Sequence, residues 1–219
     1  YRSTCLDTPD LAAYHAAGRG RRRRFKVRSR AYLDTGTCWL EVKTRGSRGT
    51  TVKERIAHPD LEDRPLTGEG RRFVDEAFAR GGIRGIAATD LEPVVATAYR
   101  RGTLLLPDAS RATIDVDLGW TSLRATRTRC GNDLDRPGLA VVETKTGSTP
   151  SAVDRLLWAH GHRPLDISKF AVGLAALDPT LPRLKWARTL RRDLGVRPHP
   201  GQQGADHHPG RGRVGEDPA

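Results

Sequence analysis

Cations recur at every second position through several short apolar runs of this sequence. Arg24, Lys26, Arg28 and Arg30 alternate with Phe25, Val27 and Ala31; Trp39, Glu41, Lys43 and Arg45 alternate with Leu40 and Val42; Lys53 and Arg55 oppose Val52 and Ile56. Further along, Arg111, Asp115 and Asp117 oppose Ile114 and Val116, and Glu143 and Lys145 oppose Val142. Successive side chains of a strand point to opposite faces, so each run would present one charged and one apolar face. For a single strand, a half-buried sheet with its polar side in water accounts for the pattern. For the set this account weakens, because like charges placed side by side on a sheet repel. A cost repeated from strand to strand points to an anion that offsets it. Arginine forks match phosphate oxygens in pairs and lysine supplies a mobile point charge, so a surface bearing both suits a linear chain of phosphates. Plain anion binding has no use for carboxylates among the cations. Glu41, Glu143, Asp115 and Asp117 make sense there as oxygen ligands for Mg2+ or Mn2+, ions that bridge phosphates. Each Glu-x-Lys pair read alone is a salt bridge within the sheet. Its occurrence twice, at Glu41 with Lys43 and at Glu143 with Lys145, favours the metal reading.

The elements that must carry these residues follow from turn and periodicity signals. Tyr1 to Asp7 reads as a strand. Thr8-Pro9-Asp10 supplies a turn and an N-cap for a helical turn through Leu11, Tyr14 and His15, broken by Gly18 and Gly20. Strands over 24–32, 38–45 and 50–57 are joined by Asp34-Thr35-Gly36 and Gly46-Ser47-Arg48-Gly49, the pattern of an antiparallel meander. A helix over 70–80 sets Phe73, Ala77 and Phe78 on one side and ends at Gly81-Gly82. Further strands are expected over 94–101, 112–118, 122–128 and 139–146, then helices over 152–160, 168–177 and 185–194. Helices can cover the apolar faces, and a sheet closed on itself has no edges. The expected fold is α+β: an antiparallel β-barrel with a charged lumen, surrounded by helices. It would occupy residues 1–195, followed over 196–219 by a disordered tail of Pro, Gly, His and charge that cannot bury enough surface to order itself.

Composition narrows the partner. A formal net charge of +12 favours something anionic. Nucleic acid is the main competitor to a phosphate chain, but only Trp39 and Tyr32 stand near the basic strands to stack on bases. Cys5, Cys38 and Cys130 lack C-x-x-C spacing, which argues for a reducing, cytoplasmic setting. No apolar run reaches the length of a bilayer, and no signal-peptide pattern opens the chain. The sequence begins at Tyr1 and contains no methionine, so its natural start is expected to lie upstream. Asp34-Thr35-Gly36 sits in a hairpin turn, His160 and His162 fall in a loop without partner carboxylates nearby, and the His207-His208 pair is incidental to a Pro/Gly tail.

A series of short segments, taken in order, is more specific than any one of them. They are Ser3 to Asp10, Phe25 to Tyr32, Trp39 to Thr44, Thr51 to Arg55, Tyr99 to Arg101, Arg111 to Asp117, Val142 to Lys145 and Ile167 to Phe170. Through them the sequence resembles the VTC domain, the polyphosphate-polymerase module of the triphosphate-tunnel (CYTH-like) superfamily, over roughly residues 1–178. The resemblance implies a tunnel in which Lys26, Arg28 and Arg30 form a first basic rung. Lys43 and Lys53 would form the next, with Arg101 and Arg111 opposite. It implies Lys43, Lys53 and Lys169 as catalytic lysines, Lys145 among the phosphate-binding cations, and Glu143, with Glu41, as metal ligands. The implied reaction is metal-dependent transfer of the ATP γ-phosphoryl group to a polyphosphate chain, with Mn2+ or Mg2+ as cofactor. Two departures stand out: the family has a strand before the Ser3 segment, and Thr113 occupies a position where some relatives have arginine. A triphosphatase or cyclase of the same fold is the alternative enzyme, though those relatives carry Glu-x-Glu-x-Lys on their first strand. A non-catalytic module that binds polyphosphate or nucleic acid is the alternative outside enzymes.

Overall fold

The alternating runs fold as strands of one antiparallel sheet. The computed structural model describes residues 1–46, 49–61, 65–124, 133–146 and 149–196. The strands are β1 (Arg2–Asp7), β2 (Phe25–Tyr32), β3 (Thr37–Arg45), β4 (Thr51–Ala57), β5 (Glu92–Leu105), β6 (Arg111–Ser122), β7 (Asp133–Arg136) and β8 (Val141–Lys145). Their order is β4-β3-β2-β1-β5-β6-β7. The long β6 holds two neighbours on one side: β7 along Leu118 to Thr121 and β8 along Arg111 to Asp115. β6 takes in the strand expected over 112–118 and runs on to Ser122, the first residue of the strand expected over 122–128. Short β7, Asp-Leu-Asp-Arg, is too polar to announce itself as a strand.

The β-barrel expected from the sequence is not closed. Among the described residues no register joins β4 to β7 or β8, so the sheet remains open at both flanks. Alternation fixes the face each side chain takes. Closure demands in addition that tilt and stagger bring two distant edges together, and no local pattern encodes that.

Among the described residues five α-helices complete the α+β fold: α1 (Ala12–Gly18), α2 (Gly68–Gly81), α3 (Ala152–Ala159), α4 (Lys169–Leu177) and α5 (Ala187–Arg192). Helix α2 starts where the Thr67 hydroxyl accepts from Gly70 N and stops at Gly82, whose φ of 66° is left-handed. Its Val74, Ala77 and Phe78 pack on Phe25, Val27, Leu40 and Val42, the apolar face of β2 and β3. Burial of aliphatic and aromatic side chains of this size stabilises by about 1.5–3 kcal/mol each. Helix α4 covers the other face of the sheet at the β1, β5 and β6 end, where Phe170 and Leu174 join Cys5, Val95 and Trp120.

Helix α1 is capped from the expected Thr8 and, in addition, from Asp7 just before it. The buried Asp7 carboxylate accepts from Thr8 N and Ala13 N at 2.8 Å and Tyr14 N at 2.9 Å, and Thr8 Oγ1 accepts from Ala12 N. Asp7 joins Thr8 in satisfying the first-turn amide groups. Burial pushes the Asp7 carboxyl up to about 6, against the three amide hydrogen bonds. Cys130, the later part of the strand expected over 122–128, Ser47-Arg48 and all of the expected tail from 197 onward, with His207-His208, lie outside the described residues.

Candidate functional site

Strand register assembles the charged positions on one face. Lys26 lies opposite Lys43, which lies opposite Lys53; Arg28 lies opposite Glu41, which lies opposite Arg55; Arg30 lies opposite Trp39. On the other half, Arg101 faces Asp115, and Thr113 pairs with both Thr103 and Glu143. Arg111 pairs with Lys145 in the same way. β1 connects the halves: Ser3 lies opposite both Arg30 and Thr97, and its hydroxyl accepts from Arg30 Nε at 3.4 Å. The start of α4 crosses this face and touches both halves. Lys169 Nζ stands 2.5 Å from Asp115, and Lys26 Nζ donates to Ser168 Oγ at 3.3 Å. Tyr99 lies beneath Lys169, with the Arg101 and Lys169 cations 5.3 and 5.1 Å from its ring centre.

Two carboxylates of the face are buried beneath cations. Glu41, 1% exposed, accepts from Arg28 Nε and an Arg28 terminal nitrogen at 2.8 and 2.6 Å through Oε2, while Lys53 Nζ sits 2.5 Å from Oε1. Asp115, wholly buried, accepts from Arg101 Nε at 2.6 Å and a terminal nitrogen at 2.8 Å, and pairs with Lys169. Burial alone would raise both acids, but the cations win. Arg28, Lys53 and Arg30 hold Glu41 down at about 2, and Arg101 and Lys169 hold Asp115 below the usual carboxylate range. The sequence reading placed Glu41 beside Glu143 as a metal ligand. Here both Glu41 oxygens already face cations, a surrounding that repels a further one.

Three other basic residues of β2 and β3 lack such a clasp. Lys26, Arg30 and Lys43 make no ion pair with a carboxylate among the described residues, although Arg30 is only 8% exposed. Burial, then the positive charges of Arg28, Lys43 and Arg30, push the Lys26 ammonium down to about 7. Burial and Arg28, Lys53 and Arg30 push Lys43 down to about 8, against the attraction of Glu41. Burial also lowers Lys169, despite Asp115. Such shifts record cations held close together in a partly dry place.

Glu143 has a different setting. It is half-exposed and 3.5 Å from Lys145 Nζ. Burial opposes its ionisation, but Lys145, Arg101 and Lys169 lower its pKa. Beside it, Thr113 is buried and its Oγ1 has no hydrogen-bond partner. Among the described residues no three His, Cys, Asp or Glu side chains stand close enough to form a metal cage. A single open carboxylate with a spare hydroxyl fits Mg2+ or Mn2+ of the kind held mainly by substrate phosphates and water.

Asp117 leaves the charged face. A bulge between Ala98 and Arg100 breaks the parity, Asp117 adopts a φ of 53°, and its carboxylate pairs with exposed Arg100. Arg111 and Lys145 remain on the face but are exposed. Tyr99, Ser3 and Ser168 belong to the site without having been assigned a part in it. Tyr99 shares the two-residue period of Arg101, and Ser168 adjoins Lys169, so both signals were available. Cys38 lines a shallow hollow with Trp39 and His58, apart from the paired carboxylates.

No helix among the described residues is long and apolar enough to cross a membrane. A search of curated proteins finds no match to this chain. Among solved structures, a Bacillus halodurans protein proposed to be an adenylate cyclase is similar at a TM-score of 0.48 and 13% identity, over 76% of this chain and 77% of that one. The model of the VTC domain family matches residues 1–178. That match spans β1 to α4 and takes in both halves of the basic face, and this chain belongs to the VTC domain family.

Proposed function

We propose that this chain is a metal-dependent phosphotransferase of the polyphosphate-polymerase type, moving the γ-phosphoryl group of ATP to a polyphosphate chain laid along the basic face. The observation that carries this reading is the trio Lys26, Arg30 and Lys43, gathered and partly buried without a carboxylate partner. Like charges held this way cost stability until an anion binds. A string of phosphates supplies one negative oxygen after another. In this reading Lys43, Lys53 and Lys169 lie nearest the transferred group, and Lys26, Arg28, Arg30, Arg101, Arg111 and Lys145 hold the chain. Arg28 and Arg101 present rigid forks, and the lysines follow charge as it shifts between oxygens. Glu143, with the Thr113 hydroxyl next to it, would hold Mn2+ or Mg2+, whose chemistry is to neutralise phosphate oxygens during in-line transfer. ATP and the metal suit a cytoplasmic setting.

A second reading, binding without transfer, is favoured by one observation: Glu143 already pairs with Lys145 and belongs to no group of three metal-ligating side chains among the described residues. Incubation with ATP and Mn2+ separates the two. Growth of polyphosphate chains, lost in Glu143→Gln while tripolyphosphate binding persists, supports the polymerase. Binding without growth in the wild type supports the second reading. Release of free phosphate without chain growth would identify a triphosphatase instead.

A further inference from the structure

The two halves of the basic face repeat one local arrangement. In each, a carboxylate on the sheet floor is clasped by an arginine fork from the neighbouring strand and by a lysine: Arg28–Glu41–Lys53 on β2, β3 and β4, and Arg101–Asp115–Lys169 on β5, β6 and α4. The acids are 1% and 0% exposed, whereas their cations keep an accessible outer side, from 13% for Arg28 to 38% for Lys53. Every ligand approaching the face therefore meets the cations first and the acids not at all. The arginines use Nε and one terminal nitrogen on the carboxylate, which leaves the other terminal nitrogen of each guanidinium for an incoming oxygen. Glu143, also on the face, differs: it is half-exposed, and its ion pair is with Lys145, with no guanidinium clasp among the described residues.

We propose that Glu41 and Asp115 are a matched pair of positioning residues, which hold Arg28, Lys53, Arg101 and Lys169 ready for a phosphate chain without touching the chain or a metal. The inference rests on the phosphate-binding reading of the face. Its physical basis is preorganisation. Long cationic side chains are ordered before the ligand arrives, so their rotamer entropy is not lost at binding. Each clasp still carries a net positive charge, two cations against one anion.

The prediction has a sign that simple electrostatics reverses. Glu41→Gln or Asp115→Asn removes a negative charge from a cationic site, and Coulomb attraction alone would then tighten binding of an anion. Positioning predicts the opposite. Tripolyphosphate affinity should be measured by calorimetry in EDTA, with no divalent ion present. Each variant should bind about tenfold more weakly, the factor expected when two long side chains must be ordered during binding. Unchanged or tighter binding overturns the proposal. So does a deficit that appears only when Mn2+ is added, which would make the acid a metal ligand.

A second measurement needs no ligand and stands apart from the fate of the proposed function. In the free protein the Arg28 and Arg101 Nε–H groups should give sharp, slowly exchanging NMR signals. Glu41→Gln should lose the Arg28 signal and keep that of Arg101, and Asp115→Asn the reverse. Signals that survive in both variants overturn the proposal, even if the wild type binds tripolyphosphate; loss in the expected pattern sustains it as a statement about the side chains, even if the wild type binds no phosphate. If Glu41→Gln does not fold, Glu41→Asp keeps the charge and draws the carboxylate back. Weakened binding is then expected, and wild-type affinity overturns the proposal.

Discussion

Lys26 has the most unusual position of any single residue in the site. Its strand neighbours Arg28 and Arg30 and its cross-strand neighbour Lys43 are all cations, while α4 contributes the Ser168 hydroxyl and the Phe170 ring 5.5 Å away. The free-chain lysine titrates near 10.5 and the folded one at about 7, so between those values the unfolded chain binds more protons. A lowered base pKa means that stability of the ligand-free protein rises with pH across that window. A bound polyanion reverses the shift by favouring the ammonium. At pH 8, wild-type protein is expected to take up about one more proton on binding tripolyphosphate than Lys26→Met does. Calorimetry in two buffers of different ionisation enthalpy reads the difference, and equal uptake by the two proteins would remove Lys26 from contact with the anion.

At the scale of elements, α4 is what brings the two halves together, since it supplies Lys169 to Asp115 and Ser168 to Lys26. It can lie this close because Gly173 has no side chain: a Cβ there would run into the Trp120 ring, whose Nε1 donates to Lys169 O at 2.9 Å. Gly173→Ala is therefore expected to destabilise the fold by about 3 kcal/mol, at the upper end for overpacking a filled core. If the helix instead shifts to relieve the clash, tripolyphosphate binding should weaken with little change in melting. A variant normal in both respects would show that the packing is looser than it looks. The strands themselves were legible in the sequence because period two survives translation into register: Lys26, Arg28 and Arg30, then Glu41 and Lys43, then Lys53 and Arg55, all reached one face. Asp117 did not, because one extra residue in β6, opposite Tyr99, undoes parity and nothing in the local pattern marks it. Nor could the sequence place Lys169 on Asp115, a contact across 54 positions set by how α4 docks.

For the molecule as a whole, a net charge of +12 concentrated in part on one face makes ligand binding and stability inseparable. Tripolyphosphate at about one hundred times its dissociation constant should stabilise by about 2.7 kcal/mol, which for a domain of this size is about 5–10 °C in melting temperature. The shift should shrink as salt rises from 0.1 to 1 M, because the screening length falls from about 10 to about 3 Å. Duplex DNA of matched charge, a stiff rod that cannot fold onto one short basic face, should produce a smaller shift; an equal one would favour nucleic acid. Expectation and fold part company at the same scale, where the anticipated barrel gave way to an unsealed sheet. The β4 flank offers its backbone groups to any strand that comes near, the usual route to end-to-end sticking between copies. That strand carries exposed Lys53 and Arg55. Two such flanks approaching each other would meet charge of the same sign, so Lys53, read above as part of the grip on phosphate, would with Arg55 also oppose pairing between copies, and an added polyanion would weaken that opposition.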